Sequence, residues 1–328
     1  MKREICDDSP TIPQHTFSVS TQFRYMAYLV TGGRGFIGSH LIKTMVEQGE
    51  EVVVLTSQQL PLSTQKGIKY VYGDITKEES LHDIFRTNNI DGIFHLAAVG
   101  NAMLSDKNPK KFNDININGT LNILKAANEA EVDNVVFSSS SLVYGRVDDE
   151  MVSENSTLNP LTPYAVSKIA GEFYCKMFAE LYGMNIAILR YFNVYGPGQD
   201  ASSEFAAAIP KFIHLIRRHE SPVIYGDGTQ ERDFVYVEDI VSANLLAMNN
   251  SSIGTYNVGM GKSHSLNQIV KTIMDVSGIE VDISYTESRG NEVRKVVSDI
   301  SNARKDLGYQ PKYDIYQGIK ETWESIQK

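Results

Sequence analysis

The sequence is poor in the features that mark several classes of protein. It contains two cysteines, Cys6 and Cys175, in 328 residues, too few for a disulfide scaffold or a cysteine-rich metal site. No apolar stretch approaches the roughly 20 residues that a membrane-crossing helix needs, and the N-terminus lacks the hydrophobic region of a signal peptide. These absences favour a soluble, cytoplasmic protein with no membrane contact and no metal centre.

Positive charge is also in short supply. The chain has 31 Lys and Arg residues against 40 Asp and Glu, which gives a net charge of −9. Without an excess of phosphate-neutralising side chains, the protein is a poor candidate for sequence-independent nucleic-acid binding. Any anionic ligand must therefore be held by a few local donors.

Apolar runs that alternate with amphipathic segments predict an α/β fold. Residues 1–24 are polar and aperiodic and contain two prolines, so we expect an N-terminal extension there. From 25 to 196, continuous Val, Ile and Leu runs indicate strands buried on both faces of a parallel sheet, typical of a doubly wound Rossmann-type domain. The rhythm breaks after this, and 197–328 are expected to form mainly a smaller α/β lobe for the substrate, with some segments returning to the first domain.

The pattern predicts individual elements as well. Strands are expected at residues 25–31, 51–56, 68–72, 92–96, 134–138 and 185–191, and helices at 36–48, 77–87, 109–130 and 163–182. In the second part, helices are expected at 204–219, 237–248, 266–276 and 316–327, with short strands at 223–225, 255–258 and 281–285.

A glycine-rich turn is the strongest local signal. Gly32, Gly35 and Gly38 follow a predicted strand and open a predicted helix. Glycine permits the tight turn and lets backbone N–H groups approach a pyrophosphate, whose charge the helix N-terminus favours. In this strand–turn–helix context the pattern predicts a dinucleotide site.

The second predicted strand lacks the acidic residue that usually binds the adenosine ribose, because residues 53–58 read VVLTSQ. Arg34 lies within the glycine turn, where an arginine can reach a 2′-phosphate. Both features favour NADP. Asp74, after the third strand, remains available to hold the adenine.

A serine run and a Tyr/Lys pair form the candidate catalytic set. Residues 138–141 are all serine and follow the fifth predicted strand, at the sheet edge where ligands bind in such folds. Tyr164 and Lys168 are four residues apart and share a helix face. A nearby ammonium stabilises a phenolate, so we expect a lowered pKa for Tyr164. Ser140 can align a substrate hydroxyl, and Lys168 can bind cofactor ribose hydroxyls.

These motifs, together with HLAA at 95–98, NINGT at 116–120, RYFNVYGP at 190–197 and RDFVYVED at 232–239, resemble the extended short-chain dehydrogenase/reductase family. The likeness is to its nucleotide-sugar epimerases and dehydratases, such as UDP-glucose 4-epimerase, and covers nearly everything from residue 26 onward. It implies NAD, with NADP as the alternative, and a UDP-sugar substrate.

The resemblance also implies site residues. The cofactor would be bound by Gly32, Arg34, Gly35, Phe36, Ile37, Gly38, Asp74, Ile75, Ala97, Ala98, Asn116, Ser138, Tyr164, Lys168 and Tyr191. The substrate would contact Ser140, Asn193, Tyr225, Arg232 and Arg289, and the two arginines suit a diphosphate because they form charge-assisted bonds.

The implied first step is hydride removal from sugar C4, with Tyr164 taking the hydroxyl proton. A usual 4,6-dehydratase carries an Asp-Glu pair just after the serine, where this chain has Ser141 and Leu142. Leu142 cannot act as an acid or base, so a 4-epimerase is favoured. A 4-keto-sugar reductase, a 3,5-type epimerase or a non-standard dehydratase in surface-glycan biosynthesis is the alternative. A non-catalytic dinucleotide sensor is disfavoured by the intact Tyr/Lys pair.

The predicted helix at 163–182 is apolar around much of its circumference, through Val166, Ile169, Phe173, Tyr174, Met177, Phe178 and Leu181. One face must cover the sheet and the other needs a partner. The resemblance implies a homodimer in which two helices of each subunit meet. The alternative cover is a segment of the same chain, such as the N-terminal extension.

Overall fold

The computed structural model describes residues 27–58, 65–147, 151–202, 206–288 and 294–326. In chain order the strands are β1 (Ala27–Thr31), β2 (Glu51–Thr56), β3 (Ile68–Tyr72), β4 (Ile90–His95), β5 (Asn134–Ser140), β6 (Met151–Val152), β7 (Asn185–Tyr191), β8 (Asn193–Tyr195), β9 (Val223–Tyr225), β10 (Glu231–Arg232), β11 (Phe234–Tyr236), β12 (Gly254–Val258), β13 (His264–Ser265), β14 (Ser284–Thr286) and β15 (Lys295–Ser298).

The α-helices are α1 (Phe36–Glu47), α2 (Glu78–Thr87), α3 (Ala102–Ser105), α4 (Pro109–Phe112), α5 (Gly119–Glu129), α6 (Pro163–Tyr182), α7 (Ala208–Arg217), α8 (Val237–Asn249), α9 (Leu266–Ser277) and α10 (Ile315–Ser325). Two π-helical segments, Asn113–Asn118 and Ala303–Leu307, and a 3₁₀ turn, Ser141–Tyr144, complete them. None of the helices in the described ranges is long and apolar enough to span a membrane.

Seven strands form one parallel sheet in the order β12-β7-β5-β4-β1-β2-β3. The chain builds outward from β1 to β3 and then returns to the other side of β1 with β4. The strand order therefore reverses between β1 and β4, which is where open α/β sheets bind ligands. This topology confirms the predicted doubly wound α/β fold.

Burial on both faces of the sheet explains the continuous apolar runs. Successive side chains of a strand point to opposite faces, and accordingly Val53 packs in one core cluster and Val54 in the other. A third cluster lies in the part built from α7, α9 and α10, with Ile213, Val270 and Trp323 among its members. The protein thus has one apolar core on each face of the large sheet and a third core in the part built from α7, α9 and α10.

The structure revises several predicted elements. The helix expected at 109–130 is interrupted by the π-helical segment Asn113–Asn118, and the strand expected at 281–285 is the shorter Ser284–Thr286. The strand expected at 255–258 is the edge of the large sheet, paired with β7. Short strands such as β8, β10, β11 and β13 were missed, because two or three residues carry no detectable period. The extension expected at residues 1–24, and residues 25, 26, 204, 205 and 327 of the predicted elements, lie outside the described ranges.

Candidate functional site

The glycine turn joins β1 to α1 and packs against the end of β4. Gly32 has φ +70°, and a Cβ there would lie 2.6 Å from the Ala97 nitrogen. A Cβ on Gly38 would lie 2.4 Å from the Gly32 oxygen. The Gly35 N–H donates to that same oxygen at 2.9 Å. A larger side chain at Gly32 would therefore push the turn away from the end of β4, and one at Gly38 would push α1 away from the turn.

A cavity of about 820 Å³ opens beside this turn, at the point where the strand order reverses. It is lined by seven of the predicted cofactor residues, namely Gly32, Arg34, Gly35, Asp74, Ile75, Ala97 and Ala98. The ends of β2 and β3 supply further lining. Of the remaining predicted residues in the turn, Gly38 is buried, whereas Phe36 and Ile37 pack against the third core cluster. Size, position and backbone cradle all suit a dinucleotide.

A chain of hydrogen bonds connects the floor of this cavity to the helical stretch that follows it. The Thr120 hydroxyl donates to the Asn116 carbonyl at 2.6 Å, so its oxygen accepts from His95 Nε2 at 3.0 Å. His95 Nδ1 then accepts from the Thr31 hydroxyl at 2.7 Å, whose oxygen accepts from the Ala97 N–H at 3.1 Å. Burial lowers the pKa of His95 to about 3, so the ring is neutral. The donor and the acceptor of each of these hydrogen bonds are therefore fixed.

Asn116 lies behind the cavity rather than among the residues that line it. Its Oδ1 accepts from the Val99 N–H at 2.8 Å, and its Nδ2 donates to the Ser167 hydroxyl at 2.9 Å. Ser167 in turn donates to the Tyr164 carbonyl at 2.7 Å. The side chain therefore joins a cavity wall to the first turn of α6, and it lies in the π-helical segment.

The first turns of α6 lie along the end of β5, which brings the predicted catalytic residues together. The Ser140 side chain lies close enough to Tyr164 to act on its pKa, and Lys168 Nζ donates to the Ser138 carbonyl at 2.8 Å. All four residues are buried. Thr162 caps this helix by accepting from a backbone N–H of its first turn.

The ionisation of this pair differs from the expectation. Burial raises the pKa of Tyr164 above its usual value, and the nearby Ser140 side chain opposes that only in part. Lys168 does not lower it, because its ammonium bonds the Ser138 carbonyl and lies 5.9 Å from the centre of the Tyr164 ring. The predicted lowering is therefore wrong in direction. Burial also lowers the pKa of Lys168, to about 8.

A buried ion pair holds the next turn of α6. Glu172 and Arg190 are each about 1% exposed, and they form two bonds, Nε to Oε1 at 2.9 Å and Nη2 to Oε2 at 2.6 Å. Ser139 donates to Glu172 Oε1 at 2.5 Å, and it faces Arg190 across the β5–β7 ladder. Sequence analysis missed this pair; Glu172 continues the four-residue spacing of Tyr164 and Lys168.

The predicted substrate residues are only partly brought together. Asn193 and Arg232 line a second cavity of about 380 Å³. Tyr225 does not line this cavity. Its carbonyl accepts a hydrogen bond from the side chain of Gln230, and Gln230 does line the cavity. Arg289 lies outside the described residues. Among the predicted cofactor residues, Tyr191 is buried and donates to Asn244 at 2.9 Å.

Asp233 supports this second cavity from below and was also missed as a site residue. It is fully buried, and its carboxylate accepts from the backbone N–H groups of Met260 at 2.8 Å, Gly261 at 3.0 Å and Ser298 at 3.1 Å. Burial raises its pKa, while these bonds act in the opposite direction. One side chain thus joins the Arg232 strand to the loop at residues 260–261 and to the end of β15.

Residues 28–259 match the NAD dependent epimerase/dehydratase family. The chain belongs to this family. The structure resembles UDP-glucose 4-epimerase of Thermotoga maritima, solved with UDP-glucose, with a TM-score of 0.86 and 34% identity over 92% of this chain and 99% of that one. It also resembles UDP-N-acetylglucosamine 4-epimerase of Methanobrevibacter ruminantium, with a TM-score of 0.85 and 36% identity over 92% and 99%.

A relative with a different reaction shares nearly as much sequence. The dTDP-D-glucose 4,6-dehydratase of Bos taurus is 32% identical over 90% of this chain and 87% of its own length. Family membership alone therefore does not identify the reaction, and the residues of the site must be compared.

Proposed function

We propose that this family member is a UDP-hexose or UDP-N-acetylhexosamine 4-epimerase that works through a transient 4-keto sugar and bound NAD. The observation that carries the proposal is the buried set of Tyr164, Ser140 and Lys168 beside the dinucleotide cavity, with no acid or base at position 142. The names of the similar 4-epimerases support the UDP-sugar substrate.

The cofactor fits the residues that line the larger cavity. Gly32 and Gly35 let the backbone approach the pyrophosphate at the N-terminus of α1, and Asp74 at the end of β3 can hold the adenine. A nicotinamide held there would supply the acceptor for the hydride of sugar C4 and the donor that returns the hydride to the other face of the 4-keto sugar. The family description supports NAD as this cofactor.

Side chains of α6 and β5 transfer the proton of the sugar 4-hydroxyl. As the C4–H hydride leaves, the Tyr164 oxygen takes the proton of the 4-hydroxyl, and the C4–O bond becomes a carbonyl. Ser140 holds the hydroxyl in line through its Oγ. Lys168 supplies positive charge while the phenolate exists and can bind cofactor ribose hydroxyls. After the 4-keto sugar rotates, Tyr164 gives the proton back as hydride returns.

The nucleotide part of the substrate is assigned to the second cavity. Asn193 and Arg232 line it, and an arginine can bind a diphosphate with two parallel charge-assisted bonds. Arg289 and Tyr225 remain predicted contacts of the diphosphate and the nucleobase.

Leu142 favours the epimerase over the dehydratase. Its side chain is 47% exposed and apolar, and its neighbour Ser141 is the other residue at the positions where a usual 4,6-dehydratase has its Asp-Glu pair. Neither can exchange protons at sugar C5 and C6 near neutral pH. An epimerase needs no such exchange, since it only has to reverse one hydride transfer.

The test is NMR of UDP-glucose, UDP-galactose and their N-acetyl forms incubated with the protein in deuterated solvent. We expect interconversion at C4 with every carbon-bound hydrogen retained. Tyr164→Phe should abolish it, whereas Tyr182→Phe, at an exposed position of the same helix, should not. Deuterium at C5 or C6 would instead indicate a dehydratase or 3,5-epimerase, and no C4 interconversion of any of the four sugars would overturn the proposal.

We also propose a cytoplasmic homodimer built on α6. Its outer face exposes Phe173 at 61% and Leu181 at 64%, with Val166 and Met177 beside them, whereas Phe178 is buried within its own subunit. Isolated apolar side chains are common at surfaces, but a row along one helix marks an interface. Sedimentation should give a dimer that Phe173→Glu with Leu181→Glu converts to a monomer; a wild-type monomer would contradict this.

A further inference from the structure

The end of β2 beside the glycine turn carries no carboxylate. Thr56, Ser57 and Gln58 line the dinucleotide cavity there, and residues 59–64, which follow, contain no Asp or Glu either. In Rossmann-type sites an acid at this place binds the adenosine 2′-hydroxyl, and its charge repels a 2′-phosphate. The element that selects NAD against NADP is therefore missing from this strand.

A guanidinium lies in its place. Arg34 belongs to the glycine turn, yet its Nη1 donates to Gln58 Oε1 at 2.5 Å, so its head group lies over the end of β2. Arg34 is exposed and lines the same cavity. A guanidinium has five N–H donors in a planar fork, so it can bind a phosphate while keeping its bond to Gln58.

Each of the two acids that line the cavity has a side-chain partner other than Arg34. Asp74 Oδ1 accepts two bonds from Thr76, at 2.9 and 2.8 Å, and Asp114 pairs with Lys110 at 2.5 Å. The charged residues of the lining are Arg34, Lys110, Lys111, Asp74 and Asp114. The ribose end thus has a local positive charge in a protein that is acidic overall.

We infer that the adenosine-ribose end of this site accepts a 2′-phosphate, with Arg34 as its main ligand, so that the chain binds NADP(H) at least as tightly as NAD(H). The inference rests on the dinucleotide site of the proposed function and adds a specificity to it. An epimerase returns the hydride within each turnover, so either dinucleotide would support its chemistry.

Titration of the full-length protein, freed of bound dinucleotide, with NADPH and with NADH tests this by nicotinamide fluorescence. We expect a Kd for NADPH no larger than that for NADH. Because Arg34 is exposed, its attraction to the phosphate is screened by salt, so the Kd for NADPH should rise more steeply with ionic strength. Mass spectrometry of the dinucleotide that copurifies gives a second readout, in which NADP is expected.

Three variants assign the preference to residues. Arg34→Ala should weaken NADPH binding relative to NADH by roughly 10-fold or more, the factor expected for loss of a charge-assisted hydrogen bond. Arg34→Lys keeps the charge but lacks the forked donors, so its affinity for NADPH relative to NADH should lie between those of the wild type and Arg34→Ala. Ser57→Asp restores an acid at the end of β2 and should shift the preference toward NADH. In each variant, NADH binding reports that the site is still folded.

Two outcomes would overturn the inference. One is a wild-type Kd for NADPH that is larger than the Kd for NADH. The other is an Arg34→Ala variant whose ratio of Kd values equals that of the wild type. Both leave the proposed epimerase standing. If neither dinucleotide binds, the proposed function fails as well.

Discussion

Replacing Lys168 with methionine should make the protein more stable while removing activity. Burial lowers the pKa of this lysine from 10.5 to about 8, so at pH 7 the folded state carries an ammonium that its surroundings disfavour. At about 1.4 kcal/mol per pH unit, keeping it charged costs about 3 kcal/mol. Loss of the bond to the Ser138 carbonyl offsets about 1 kcal/mol. The net gain expected for Lys168→Met at pH 7 is about 2 kcal/mol.

The gain should depend on pH in a defined direction. Between pH 8 and 10.5 the folded state binds fewer protons at Lys168 than the unfolded state does. Wild-type stability therefore rises with pH across this window, and the advantage of Lys168→Met shrinks toward pH 10. Urea unfolding at pH 7 and pH 10 measures both effects.

Lys176→Met is the matched control for this prediction. Lys176 lies two turns further along α6 and is exposed, so its replacement should change the free energy of unfolding by less than about 0.5 kcal/mol. A Lys168→Met variant that is less stable than wild type at pH 7, or whose advantage is the same at pH 7 and pH 10, would show that burial does not disfavour the ammonium.

Three further results are expected. The rate of epimerisation should fall as the pH rises through about 8, because Lys168 then loses the positive charge that stabilises the Tyr164 phenolate; a flat profile from pH 6 to 9 would contradict this. Glu172→Leu or Arg190→Met alone should destabilise by about 3–5 kcal/mol, and the double variant should recover most of it in thermal melts, because each single change leaves a buried charge unpaired; a double variant no better than either single change would argue against it. Gly38→Ala, whose Cβ would lie 2.4 Å from a backbone oxygen, should abolish dinucleotide binding in the fluorescence titration, whereas Gly100→Ala, which meets nothing within 4 Å, should retain it.

The central sheet was predictable because its strands carry their own signal. A strand buried on both faces must be apolar throughout, so β2 and β5 read as runs of Val, Leu and Phe. The glycine turn was equally predictable from the sequence, because close backbone contacts at Gly32 and Gly38 leave no room for a side chain. In both cases the cause lies within a few neighbouring residues.

The parts that escaped prediction depend on distant contacts. Strand β10 is two residues long and exists only because β13 and β15 lie beside it. Glu172 and Arg190 read as ordinary charges until α6 and β7 meet. The pKa of Tyr164 was expected in the wrong direction, because spacing along a helix reveals a nearby ammonium but not how deeply the phenol is buried.

The place of β12 limits how this chain can be divided. The large sheet is completed by residues 254–258, after the chain has passed through β8, β10 and β11, which belong to smaller sheets. A fragment cut near residue 197 would lack an edge strand and expose β7, whose unpaired N–H and C=O groups invite association with other chains. Grafting a new sugar specificity onto this scaffold therefore calls for exchanging internal loops, with both junctions inside the chain, rather than replacing everything beyond one cut.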